Sequence, residues 1–287
     1  MAKGRELKGR IKSTENTKKI TRTLEMVATS KMKRASDRVA AARPYARALA
    51  EVMANLYAPE LAEAFPLLRQ PAHARTAAVI LITANRGLCG AFNSNLIKEA
   101  RQLVRTLEGQ GTTIELHAIG KKGIGYFKYV GRPMAAQCTD IGDKPTAADV
   151  ASIVDDVMAR FAAGSLDAVY VVYSTYNSAL STPPTTERIL PVPVPAKSAT
   201  VRDFILSPSA EAILSDLLPL AVRNAVYRAL IETAAGFQSA QRTAMKNATD
   251  NATDMINSLR RTYNRARQAQ ITQEIAEIVG GAAALSG

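Results

Sequence analysis

The sequence predicts an α/β protein in which a three-layer, Rossmann-like α/β body is joined to two long helices that pair as an antiparallel coiled coil. Three observations lead there. Apolar or small residues recur at alternating steps of four and three over both ends of the chain, the seam of a helix that wraps a partner helix. Short β-branched runs alternate with helical patterns in the middle, which implies a mostly parallel sheet covered on both faces. The first helix enters that middle section at its own C-terminal end and the last leaves it at its N-terminal end, so a pairing of the two is antiparallel. The predicted parts are residues 1–57, 75–195 and 208–287.

In the first arm, Ala35, Val39, Ala42, Ala46, Leu49, Met53 and Leu56 keep the four-three alternation. Leu7, Ile11, Ile20, Leu24 and Val27 continue it upstream. Pro44 is expected to kink or restart the helix, because proline lacks the backbone N–H. A loop, Ala58–Ala74, follows with Pro59, Pro66 and Pro71. Thr76–Thr83 (TAAVILIT) reads as a buried strand, and Asn93–Leu107 as an amphipathic helix capped by Asn93 or Ser94. Thr112–Ile119 is a second strand and Lys121–Val130 a short helix. Ala135–Thr139 is an irregular strand. Thr146–Ala163 is a helix with Ile153, Val157 and Phe161 on one face.

Ala168–Thr175 (AVYVVYST) is a further buried strand. Glu187–Val192 is an edge strand, held short by Pro183, Pro184, Pro191, Pro193 and Pro195. In the last arm the seam runs through Ile213, Leu217, Leu220, Tyr227, Ile231, Ala234, Met245, Ala248, Ala252, Met255, Leu259, Ala266, Ala269 and Ala276. After Pro219 nothing obliges this helix to stop before Gly280-Gly281. At about 1.5 Å per residue it would run roughly 100 Å and outreach the first arm by about 30 Å. Between Gly236 and Met255 its residues are mostly small or polar, so the pair buries little apolar area and is only modestly stable by itself.

The net charge is +12, and most of it lies in the first arm. Residues 1–47 hold fourteen basic side chains against four acidic ones, a surplus of ten. Like charges one helical turn apart repel, so an acidic partner surface explains the belt better than a solvated face does. Aromatic residues make up 5% of the chain, with no Trp, which suits close helix pairing. Cys89 and Cys138 lie far apart without metal-ligand spacing, which fits a reduced, cytosolic setting. The longest apolar run, Ala77–Ile82, is too short to cross a bilayer. The start, MAKGRELKGRIKS, has no secretory apolar core.

The turn Thr83–Asn93 (TANRGLCGAFN) joins a strand to a helix through glycines but lacks both GK[ST] and G-x-G-x-x-G. Gly120–Gly125 fails the same tests. Both read as tight structural turns, and no cofactor is expected. His73 and His117 have no Cys or carboxylate at ligand spacing, and no nucleophile–base set is apparent. Asp140, Asp143, Asp149, Asp155 and Asp156 mostly flank or start a helix, where negative charge suits the dipole. The tail Ile271–Leu285 carries only Glu274 and Glu277 as charges, and its apolar residues call for a surrounding socket.

Three stretches, IKSTENTKKITRTLEMVATSKMKRA, RGLCGAFN and YNRARQAQITQEIAEIVGGAAAL, resemble the γ subunits of bacterial F-type ATP synthases, and the likeness extends over the whole chain. The resemblance implies a non-catalytic rotor. Its antiparallel coiled coil would stand inside a hexamer of α and β subunits. Its α/β body would bind the ε subunit and rest on the membrane c-ring, which proton flow turns. It implies one copy per complex, at the cytoplasmic face of the bacterial inner membrane as a peripheral membrane protein. By the same likeness Gln268, Thr272 and Glu274 would meet loops of β, and Lys18, Lys19 and Arg22 would pass acidic segments of β. Arg242 stands one place from the family's usual arginine, and no contact is assigned to it. The extra cysteine-bearing segment of the plant-type form is missing, so no dithiol switch is expected.

Two other function classes fit less well. A nucleic-acid-binding coiled coil suits the basic belt, but stacking aromatics and a binding module are lacking, so no nucleic-acid partner is expected. A nucleotide-using enzyme is opposed by the missing phosphate loop.

Overall fold

The structure, a computed structural model, describes residues 2–56, 65–193 and 209–285. Pro59, Pro195 and the predicted limits at 57, 195 and 208 lie outside the described residues. In chain order come α1 (Ala2–Leu56), a 3₁₀ turn (Pro66–Leu68), β1 (Thr76–Ile82), α2 (Phe92–Gly109), β2 (Thr113–Ile119), α3 (Lys121–Tyr129) and β3 (Ala136–Cys138). Then follow α4 (Ala147–Ala162), β4 (Ala168–Ser174), β5 (Pro184–Leu190) and α5 (Ala210–Leu285). The sheet order is β3-β2-β1-β4-β5. β1 to β4 are parallel and β5 is antiparallel to β4. This is the predicted α/β fold with two long helices.

The chain forms two compact units, one of residues 29–240 and one of residues 1–28 with 241–287. The unit with the sheet thus takes in the helical residues 29–56 and 210–240. Packing, not the change of element type near 57 and 208, draws this boundary.

In the unit of residues 29–240, alternation along β1 sorts its side chains onto two faces. Ala78, Ile80 and Ile82 pack with Val150, Val154, Val157 and Phe161 of α4 and with Leu218, Val222, Val226 and Leu230 of α5. Val79 and Leu81 pack with Leu96, Ala100 and Val104 of α2, Phe127 of α3 and Phe237 of α5. A strand covered on both faces needs a continuous apolar run, which TAAVILI supplies. α4 starts at a capping box in which Thr146 accepts from Asp149 N and the Asp149 carboxylate accepts from Thr146 N.

Three local expectations need correction here. Neither Asn93 nor Ser94 caps α2; Ala91 stands at that position without a side-chain cap. Asn93 is inside the helix and buried, because the preceding turn uses its amide: Ala84 N donates to its Oδ1, and its Nδ2 donates to Arg86 O. β5 begins at Pro184, three residues before the predicted start. A proline is tolerated there because β5 is the sheet edge. α1 runs through Pro44 without a restart, as α5 runs through Pro219.

The α5 segment in this unit also departs from a one-sided seam. Val226, Ala229, Leu230, Ile231, Ala235 and Phe237 are buried together with Glu232, Thr233, Gln238 and Ser239, while Leu220 is exposed. A helix covered on nearly all sides loses its amphipathic period.

In the unit of residues 1–28 and 241–287 the two helices do run antiparallel. Thr14 lies by Met255, Thr21 by Thr249, Glu15 by Arg260 and Gly4 by Tyr263, so numbers rise on one helix as they fall on the other. The seam is shifted from the predicted one. Ile20, Val27 and Met255 are exposed, whereas Thr21, Ala28, Thr249 and Ile256 are buried. With Met245 and Ala252 these α5 residues keep the four-three steps, through a threonine that an apolar count passes over. Thr249 Oγ1 donates to Thr21 Oγ1 at 2.8 Å, which lets two hydroxyls sit in the seam.

Candidate partner-binding surfaces

Doubly wound sheets hold ligands beyond the C-terminal ends of their strands. In this body a cavity of about 370 Å³ lies there, lined among others by Thr83, Asn85, Lys121, Asp143 and Thr233, and the chain itself takes the N–H groups at the start of α3 beside it. Thr83 Oγ1 donates to Ile119 O at 2.9 Å and accepts from Gly123 N at 2.9 Å. Asn85 Oδ1 accepts from Lys121 N, and Lys122 N donates to Ala84 O. These N–H groups at the start of α3 are the ones a phosphate would need. Gly120 has φ +95°, and a Cβ there would lie 2.1 Å from Thr83 O, so the glycine serves close packing. On the β4 side, Ser174 N donates to Thr233 Oγ1 and Tyr176 N to a Glu232 carboxylate oxygen, both on α5. The turn at Gly120 is thus packed against the end of β1.

The titratable groups are arranged for structure too. Burial pushes the His117 imidazole below its usual range, and its Nε2 is buried without a partner. The bidentate hydrogen bonds from Arg160, at 2.7 and 2.8 Å, hold the Glu115 carboxyl low. Burial pushes the Cys89 thiol up. Burial likewise raises the Glu232 carboxyl. Asp149 caps α4, and Asp155 pairs with Arg223 at 2.9 Å. Among the described residues no group of His, Cys, Asp and Glu is arranged to hold a metal ion. No helix is long and apolar enough to cross a membrane, among the described residues.

The six residues singled out from the sequence fall into two groups on the unit of residues 1–28 and 241–287. Lys19 and Arg22 are exposed and Lys18 half-buried, on the turn of α1 that also carries buried Thr21. Among the described residues none of the three has an ion-pair partner, whereas Arg10 meets Glu6 at 3.4 Å and Lys33 meets Asp37 at 2.7 Å. Gln268, Thr272 and Glu274 are exposed near the end of α5. Thr272 Oγ1 donates to Gln268 O, and Glu274 accepts from Gln270. Residues 268 and 272 share a helix face, while 274 points nearly the opposite way. Thr272 is 23 residues beyond Thr249, about 35 Å along the helix, so the basic trio and the tip residues lie well apart.

Beside the tip residues, Ile271, Ile275, Ile278 and Val279 are exposed. The first three recur at steps of four and three and form one stripe. Sequence reasoning found this apolar tail. It missed Tyr176, Glu232 and Thr233, because a polar residue inside an apolar helix gives no periodic signal.

A family profile described as ATP synthase matches residues 3–285. The ATP synthase gamma chain of Gemmatimonas aurantiaca is 69% identical, over 100% of both chains. That of Leptospira biflexa is 41% identical, again over 100% of both. A chain of the Euglena gracilis mitochondrial ATP synthase rotor shares the fold, with a TM-score of 0.67, 20% identity, and coverage of 94% of this chain and 99% of that one. A charged, small-residue helix pair, an α/β body packed against both long helices, and a full-length match to curated gamma chains agree: the chain belongs to the ATP synthase family, among its gamma chains.

Proposed function

We propose that the chain is the central rotating shaft of an F-type ATP synthase, a non-catalytic subunit that couples rotation of a membrane c-ring to the conformational cycle of an α/β hexamer. The observation that carries this reading is the end of α5. Ile271, Ile275, Ile278 and Val279 lie exposed there, beyond the Gly4–Tyr263 contact near the start of α1. An apolar stripe of this kind in water is a liability unless a socket receives it. The helix pair stands inside the hexamer, and the body meets the ε subunit and the c-ring. Proton flow turns the ring, and the shaft turns with it. In this reading the chain is peripheral to the membrane, on the cytoplasmic face of a bacterial inner membrane, in one copy per complex, and uses no cofactor.

Gln268, Thr272 and Glu274 touch loops of β at the tip, and Lys18, Lys19 and Arg22 pass acidic segments of β. The trio's cations, which have no ion-pair partner among the described residues, support the second contact, since opposite charge on the partner would relieve their mutual repulsion.

Co-expression with nucleotide-binding α and β chains tests the reading. The chain should co-purify in a soluble complex and support coupled ATP hydrolysis; a folded chain that never enters such a complex overturns it. Thr272→Pro should impair tip seating or coupling while leaving the body folded, because proline removes one intrahelical bond and clashes with the preceding turn. An unfolded body, or intact seating and coupling, would count against tip contact.

A further inference from the structure

Both long helices are tied to one spot on the sheet, the C-terminal end of β4. Ser174 N donates to Thr233 Oγ1 at 3.2 Å, and Tyr176 N donates to Glu232 Oε2 at 2.9 Å, both on α5. Tyr176 O accepts from Arg43 Nη2 of α1 at 2.9 Å. The two sides of one residue's backbone are therefore held by different helices. The Tyr176 side chain packs with Ala35 and Val39 of α1 and with Ile231 and Ala235 of α5. One turn further on, Gly236 lets α5 approach so closely that a Cβ there would lie 2.8 Å from Ser174 Oγ and 3.1 Å from Phe92 Cε2. Ser239 Oγ then donates to Ala179 O.

This arrangement differs in kind from the rest of the α5 packing. Apolar contacts are non-directional, and a smooth helix among them can turn or slide with gradual loss. Side-chain oxygens bonded to backbone N–H groups at the strand end, with a glycine fitted against a serine, fix both the height and the rotation of the helix. Leaving that register strands buried donors, and the cost of an unmade buried hydrogen bond exceeds the net gain from making it.

We propose that the end of β4, through Ser174, Tyr176, Arg43, Glu232, Thr233 and Gly236, is a torque clamp that stops the shaft helices from turning within the body under load. This rests on the shaft reading above. Glu232 and Thr233 are positioning residues: they hold the helix against the sheet and touch no nucleotide.

The test uses the assembled complex with the hexamer fixed to a surface and a magnetic bead attached to the body through Gln110→Cys, an exposed position. Thr233→Val keeps the side-chain shape and removes the acceptor of Ser174 N. It should leave unloaded rotation within about twofold of the parent while slips under an opposing magnetic torque rise about tenfold. Gly236→Ala should act the same way, and Ser174→Ala added to it should restore the hold by removing the nearest clashing atom. A role in folding alone would lower the number of rotating complexes and leave slips in the survivors unchanged. Slip rates equal to the parent for Thr233→Val, or loaded and unloaded rotation falling in proportion, overturn the clamp. Should Gly236→Ala fail to assemble, Thr233→Val decides by the same outcomes. A parent chain that never enters the complex overturns the shaft reading and the clamp with it; a rotating parent with an unslipping Thr233→Val overturns the clamp alone.

Discussion

Helix α5 is buried in two different ways. Between Leu214 and Ser239 large apolar side chains meet the sheet, and polar ones are spent on the strand end. Between Met245 and Ile256 only one stripe is buried, and two of its four residues, Thr249 and Ala252, are small. The first segment is held by area and by specific bonds, the second by a narrow seam. The difference teaches that helix length alone says nothing about how firmly a helix is held.

The largest test of that contrast is a pair of truncations. Leu218→Ala, at a fully enclosed site, should destabilise the unit of residues 29–240 by about 3–5 kcal/mol. Ile256→Ala, flanked by exposed neighbours, should fall at the low end of the range, about 2 kcal/mol. Denaturant unfolding of each variant checks both, and equal losses would erase the distinction.

A second test uses pH. The folded-state His117 imidazole titrates below its ordinary value because burial disfavours the cation. Its contribution is therefore present above the ordinary value of 6.5 and is lost as pH falls through the lowered folded value. The Tm of the body should drop as pH falls from 6.5 toward the lowered folded value, by at most about 1.4 kcal/mol of stability per pH unit from this one group. His117→Gln should flatten the slope. An unchanged slope would show that other groups control it.

Smaller still is Thr249→Val. It removes the bond to Thr21 but leaves Thr21 Oγ1 donating to Lys18 O, so the loss should be about 1 kcal/mol or less. Hydrogen exchange along the helix pair would detect it as faster opening near that turn. At the bottom of the scale, Ile271→Ser with Ile275→Ser and Ile278→Ser should change the free chain's stability by no more than about 0.5 kcal/mol, because these side chains are already exposed. The same triple variant should seat poorly in the complex.

β1 and β4 were legible because their runs are almost wholly apolar, and the two long helices because apolar or small residues recur along them at helical steps. What escaped had physical reasons. Thr21 and Thr249 form a seam contact by bonding each other, a solution invisible to a scan for apolar residues one at a time. Asn93 looked like a cap, yet the turn that precedes it claimed its amide. The edge strand began at a proline because its outer side has no neighbour to bond. Of the candidate site, the basic turn and the apolar tail stood out as charge and composition. Their spacing of about 35 Å along α5 needed the antiparallel register to be seen.

The body completes its core with a later piece of its own chain, so α5 behaves as a tethered ligand. A segment joined to its site by the same backbone stands at an effective concentration on the order of millimolar, whatever the protein concentration. The body is thereby saturated without needing a tight intrinsic affinity. A body cut before residue 209 and supplied with α5 as a separate peptide would have to meet that concentration in the test tube to regain its core.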